Sequence, residues 1–227
     1  MHEVTEKIQI DVWSDIACPW CYIGKRNLEG GIAATSNDPD APQVEITYHS
    51  YELSPDTPVD FDGSEIDFLA THKGMPKDQV SQMLDHVTQV AQGAGLEYNF
   101  DVLKHTNTVR AHELLHFAKA HGKQHEMAER LMSAYFTEGK HVGEIDSLVA
   151  LAAEVGLDAD AARAALQSQQ YLDDVRADQA QAVKFGIQGV PFFVINGKYG
   201  VSGAQPADAF AQVLRQVWAE ETEPAAS

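Results

Sequence analysis

A chain of 227 residues with 44% apolar side chains can build one large domain, or a domain carrying an insertion, and global disorder is excluded. Acidic residues outnumber basic ones 34 to 16, and the formal charge of −18 repels a nucleic-acid backbone and an anionic membrane alike, so neither is expected as a partner. No run approaches a membrane span, and the start Met1-His2-Glu3-Val4-Thr5-Glu6-Lys7 lacks the basic flank and apolar core of a signal peptide, so the expected location is cytoplasmic.

The alternating run Ile8-Gln9-Ile10-Asp11-Val12-Trp13 predicts a strand, and Cys18-Pro19-Trp20-Cys21 then opens a helix that runs to residue 28. A polar turn cluster at 36–42 leads into a second alternating stretch at 44–53, which completes a βαβ unit; Pro55 and Pro58 end it. Over 65–185 the pattern is helical and broken by glycines. Pro76 fits a helix first turn, Asp146 and Asp158 fit N-caps, and Gly156 and Gly186 fit positions just past C-termini. The strand pattern returns at 189–195, Asn196-Gly197 signals a hairpin, and 198–203 supplies the returning strand. Pro206 and Asp208 open a last helix with Phe210, Val213, Leu214, Val217 and Trp218 on one side, before an acidic tail from Glu220 that frays. The order predicts an α/β fold, a mixed sheet flanked by helices with a large all-helical insertion. Its parts are a βαβ segment at 1–62, the insertion at 63–186, a ββα segment at 187–222 and a disordered tail at 223–227.

The chemistry concentrates at Cys18 and Cys21, the only cysteines of the chain. Three apart on a first helical turn, they share a face and can form a disulfide, and the unpaired N–H groups of a helix N-terminus favour a thiolate on the first. Proline suits that turn because its missing N–H costs nothing there. A structural zinc site would need a second pair of ligands in a knuckle, which the chain lacks. In a cytoplasmic protein such a pair is transient, catalytic or redox-sensing rather than a staple. Cys18 is the expected nucleophile and Cys21 the resolving thiol.

Cys18-Pro19-Trp20-Cys21 after a strand, a helical insertion, and Gly189-Val190-Pro191-Phe192-Phe193 before a hairpin together resemble the DsbA-like thioredoxin superfamily, and within it the FrnE group. Ser14-Asp15, Asn107-Thr108, Ala111-His112 and Gly203-Ala204-Gln205-Pro206 extend the resemblance over nearly the whole chain. It implies a thioredoxin fold, thiol–disulfide exchange, and a cis bond at Val190-Pro191 that exposes a short backbone edge to a peptide or to glutathione. Pro19, Trp20, Val190, Pro191, Gly203, Ala204 and Gln205 are the expected substrate-binding residues. Disulfide-containing proteins or peptides are the expected partners, with glutathione as a co-substrate and no cofactor beyond the dithiol. Glutathione transferases of the kappa type and hydroxychromene-carboxylate isomerases are similar in layout, but carry serine in place of the nucleophilic cysteine and a Ser-Asp pair where this chain has Ala204-Gln205. A transferase or isomerase of that kind is the alternative, and a non-catalytic redox sensor a second one.

Asp11 lies on the strand leading to the pair, in an Asp-x-Trp run similar to thioredoxin's, and is the expected proton acceptor for Cys21. Trp20 and Tyr22 are expected either to form an apolar rim for substrates or to pack as aromatics against the insertion. DsbA carries a histidine where Trp20 stands, so a weaker oxidant is expected here, at about −170 to −260 mV. His112-Glu113-Leu114-Leu115-His116 matches the zinc-protease pattern, but the glycine and third histidine of the metzincin form are not in register. The motif is read as ordinary helix, with His112 toward the active-site side of the insertion and no metal.

Overall fold

The computed structural model describes residues 7–38 and 41–222; the expected tail at 223–227 lies outside the described residues. Strand β1 (Lys7–Ser14) alternates as its sequence does, burying Ile8, Ile10 and Val12 on one face. Trp13 is buried on the other, against Ala182, Ile187 and Val194. Helix α1 (Pro19–Thr35) passes through Glu29-Gly30-Gly31 instead of ending at residue 28. Gly31 has a packing reason: a Cβ there would come within 2.6 Å of the Phe210 Cβ on the last helix.

Strand β2 (Gln43–Ser50) pairs parallel with β1. It stops short of residue 53 because its exit turns to side chains for hydrogen bonds. The Ser50 N–H donates to Asp178 Oδ2 at 2.8 Å and the Leu53 N–H to Asp15 Oδ2 at 2.8 Å.

Among the described residues, seven helices separate β2 from β3: α2 (Glu65–Lys73), α3 (Lys77–Gly93), α4 (Val109–Ala120), α5 (Gln124–Phe136), α6 (Ile145–Glu154), α7 (Ala159–Gln167) and α8 (Leu172–Lys184). Asp158 caps α7 by accepting the Ala161 N–H at 2.7 Å. Asp146 is not a cap; Glu144 holds that position and Asp146 lies in the first turn. Pro76 is the extended residue just before α3 rather than part of its first turn.

Strands β3 (Phe192–Ile195) and β4 (Tyr199–Ser202) form the hairpin, with Asn196 and Gly197 both at positive φ. The sheet order is β2-β1-β3-β4, with β3 antiparallel to both of its neighbours. Helix α9 (Ala207–Thr222) continues through Glu220 and buries Phe210, Leu214 and Val217. The result is a thioredoxin-type mixed sheet. Helices α1 and α9 cover one face, where Phe193 meets Phe210 edge-on, and α8 lies over the other against Trp13.

Candidate active site

Cys18 is the N-cap residue of α1, extended at φ −92° and ψ 113°, with Pro19 as the first helical residue. Its N–H donates to the Asp15 carbonyl at 3.2 Å, and its own carbonyl accepts the Cys21 N–H at 3.0 Å. Both thiols are free and buried. The Cys18 thiol faces the Val190 carbonyl, with Sγ 3.7 Å from that oxygen, and the Val190–Pro191 peptide is cis. Pro191 presses onto α1 at Gly24, where a Cβ would come 2.9 Å from the Pro191 Cγ. The Pro191 carbonyl accepts the Gly203 N–H at 2.9 Å, and Gly203 takes a φ of +81° that suits glycine. Ala204 touches the same spot of α1, and the Gln205 carbonyl accepts from Asn27 Nδ2 at 2.9 Å. The structure thus brings Val190, Pro191, Gly203, Ala204 and Gln205 to the flank of α1 that carries the cysteines.

The second sulfur sits in a different medium. Burial pushes the Cys21 thiol well above its ordinary range, and the adjacent Cys18 sulfur raises it further; the Asp15 backbone and the Ser14 hydroxyl oppose this only in part. Asp11 is not among these neighbours, and its expected role is corrected here. Strand parity puts Asp11 on the Trp13 face, where its Oδ1 lies 2.7 Å from His49 Nε2, while Ile10 and Val12 share the opposite face with Cys21. Trp20 is 39% exposed and stands at the rim. Tyr22 does not. It is buried, stacked on Tyr98 and Phe136, with its hydroxyl donating to Glu129 Oε1 at 2.7 Å.

Sequence reasoning did not single out Asp15 as a site residue. Its carboxylate is 2% exposed, accepts the Leu53 N–H, and lies 3.2 Å from His112 Nε2. Burial alone would raise this acid, but His112 and the Leu53 N–H outweigh it and hold the carboxyl below the usual range. Beside Asp15 and Cys18 opens a cleft of about 280 Å³, walled mainly by Trp20, Leu53, Phe68, Leu69, Met83 and Phe100. No local signal marks it, since its walls come from α1, α2, α3 and the connecting loops.

A dithiol at the start of the first helix, opposite the loop that precedes β3, is a thioredoxin-type layout, and the sequence comparison names the family. The model of the DSBA-like thioredoxin domain matches residues 9–215. The chain belongs to this family. It is 32% identical over 216 residues to the uncharacterised protein YwbO of Bacillus subtilis (strain 168), covering 91% of this chain and 96% of that one. A probable DsbA oxidoreductase from Streptomyces coelicolor, SCO1869, superposes with a TM-score of 0.87 at 38% identity, covering 97% of this chain and 94% of the other. The cytosolic disulfide reductase DsbM of Pseudomonas aeruginosa, in a structure with GSH, shares the fold at TM-score 0.64 and 19% identity, over 92% and 98% of the two chains.

In this DsbA-like chain the two histidines of the protease-like stretch diverge. His112 meets Asp15, whereas His116 Nε2 lies 3.0 Å from Asp178 Oδ2 and 3.2 Å from the Ser50 hydroxyl. Glu113 is buried, and neither of its carboxylate oxygens has a hydrogen-bond donor among the described residues. Among the described residues, the three side chains able to converge on one cation are Asp60, His141 and Glu144, none of which belongs to this helix. No helix of the described residues is long and apolar enough to cross a membrane.

Proposed function

We propose that this protein is a dithiol–disulfide oxidoreductase or isomerase in which Cys18 is the nucleophile and Cys21 resolves. The observation that carries this reading is the asymmetry of the pair: one sulfur at the N-cap of α1, on the wall of the cleft and against the Val190 carbonyl, the other inside the first turn with its thiol pushed well above its ordinary range. The Cys18 thiolate attacks one sulfur of a substrate disulfide, forming a mixed disulfide and releasing the other half as a thiolate that takes a proton. Cys21 then loses its proton and attacks Cys18 Sγ. The second substrate thiol leaves, two electrons have passed to the substrate, and the Cys18–Cys21 disulfide remains for an external thiol such as glutathione to reduce. The exposed edge at Val190 gives a substrate a main-chain partner beside the reacting sulfur. Proteins and peptides with disulfides are the proposed substrates, the cytoplasm the proposed place of work, and no further cofactor enters.

Turnover of a glutathionylated peptide and of scrambled ribonuclease tests this. Cys18→Ser should abolish both, and Cys21→Ser should accumulate mixed disulfides through Cys18. Trapping through Cys21 instead would invert the assignment. Equilibration against glutathione should place the pair at about −170 to −260 mV.

A further inference from the structure

The cleft beside Cys18 carries basic side chains that the exchange chemistry does not use. His72 and Lys73, at the end of α2, and His86, midway along α3, all line it and are exposed. Basic residues at a helix C-terminus offset its dipole wherever they point, but His86 has no such reason and faces the same cleft. No carboxylate of the cleft claims them. Its two acids are Asp15 and Glu65, and each already pairs with a buried histidine, Asp15 with His112 at 3.2 Å and Glu65 with His105 at 2.8 Å. Asp67 of α2 is taken by Lys77 and by the Ser64 cap, and Asp78 and Asp85 of α3 do not line the cleft.

We infer that this cleft selects disulfides bearing a compact apolar arm that ends in a carboxylate, the arm lying on the walls and the carboxylate meeting Lys73 with His72 and His86. The inference rests on the exchange reading above and names a substrate class for it. The walls at Phe68, Leu69, Met83, Leu84, Val87 and Phe100 are apolar and share one cavity with Cys18. Its volume of about 280 Å³ suits roughly one ring with a short chain, since a cavity of about 150 Å³ holds benzene. The His72 ring stacks on Phe68 with centroids 5.2 Å apart, so the basic end begins on the apolar wall itself. An apolar cleft with a few polar groups that fix orientation is the usual form of a small-molecule site. Charge decides the end group. An ammonium would meet basic groups only, and a neutral end would leave Lys73 to water, whereas a carboxylate pairs with it. The net charge of −18 by itself favours the ammonium, so a preference for the carboxylate can come only from these local groups.

The test is single-turnover reduction, by the fully reduced protein, of three symmetric phenylethyl disulfides that carry carboxylate, carboxamide or aminomethyl at the para position, and of dithiodipropionate, which has the charge without the ring. Each turnover oxidises Cys18 and Cys21 to their disulfide and releases two thiols, so no external reductant is needed. Each second-order rate constant is divided by that of the same compound with dithiothreitol, which cancels intrinsic reactivity. At low ionic strength the aromatic carboxylate should exceed the carboxamide about fivefold, with the ammonium slowest. It should exceed dithiodipropionate about tenfold or more. The carboxylate-to-carboxamide ratio should fall toward one in about 0.5 M salt, and Lys73→Glu should bring it below one. A ratio of one or less in the native protein, a ratio unmoved by Lys73→Glu, or an aromatic carboxylate no faster than dithiodipropionate would overturn the inference. If the native protein reduces neither these compounds nor glutathione disulfide, the exchange reading itself has failed; if it reduces all alike, only the inference about the cleft has.

Discussion

Two buried carboxylates receive histidines from the same helix, and they stand in different relation to the dithiol. Asp15 takes His112, and Asp178 takes His116, one turn further along α4, together with His49 at 2.7 Å. Each also accepts a backbone N–H from the exit of β2, Leu53 for Asp15 and Ser50 for Asp178. In both, burial pushes the acid up and the partners more than offset it, so both stay below the usual carboxylate range. Their positions differ. The Asp15 carbonyl holds the Cys18 N–H, whereas Asp178 sits on α8 across the sheet, with its carbonyl accepting from the Trp13 indole at 3.0 Å. The same pairing chemistry stands beside the dithiol in one place and on the other side of the sheet in the other.

The largest expected effect breaks the cluster across the sheet. Asp178→Ala leaves the Ser50 N–H unpaired and takes a carboxylate partner from both His49 and His116, which keep only Asp11 and the Ser50 hydroxyl, and should destabilise the fold by about 3–5 kcal/mol in urea unfolding. Exchange by the folded fraction should stay within about threefold of the native rate. A loss of exchange beyond that, at temperatures where the variant is folded, would erase the distinction between the two clusters.

Asp15→Asn sharpens the comparison from the other side. It keeps the shape but removes the charge and faces His112 with an amide, so exchange should slow by about tenfold, ~1.4 kcal/mol, with a smaller loss of stability than Asp178→Ala. Removing a negative charge near the pair also favours the thiolate, and the equilibrium with glutathione should move toward the dithiol. A stability loss without change in rate or equilibrium would make Asp15 a purely structural group, as Asp178 is expected to be.

The smallest effect concerns Glu113, which lies between the two histidines in sequence and has neither as partner. Burial pushes its carboxyl up to about 6 from an ordinary 4.5, against the pull of Arg110 and Arg176. The fold therefore binds this proton more tightly than the unfolded chain does. That contribution is complete below pH 4.5 and is lost as pH rises through 6. Glu113→Gln should leave stability at pH 4 unchanged and raise it by about 1–2 kcal/mol at pH 8. Thermal unfolding at the two pH values measures this, and an equal gain at both would show that the carboxyl is not titrating there.

The sheet, its order of elements and the dithiol were legible because period-two alternation, turn residues and the cysteine spacing are local signals. Asp11 shows where such signals stop. Alternation puts it opposite Val12, but only the layer covering each face tells which of the two looks at Cys21. Tyr22 makes a related point: an aromatic one residue past the pair reads equally as rim or as packing against the insertion, and only the helical rotation, which turns it inward to Tyr98 and Glu129, decides between them. The Asp15–His112 contact joins positions 97 apart, and the cleft takes walls from separate helices, so neither has a signature within any one window. Helix α1 outran its expected end because Gly30-Gly31 reads as a stop, when Gly31 is instead the place where α9 comes close.

The dithiol and the carbonyl it faces are 172 positions apart in the chain. A ribosome adding about 5–20 residues per second makes the cysteines roughly 10–35 s before Val190 leaves the peptidyl-transfer centre. Through that interval the nascent chain carries both thiols without the hairpin, without α9 and without the neighbours that bury Cys21. Whatever selectivity the finished site has is absent then, and the two thiols are free to exchange with each other's partners or with another chain before the site exists to choose among them.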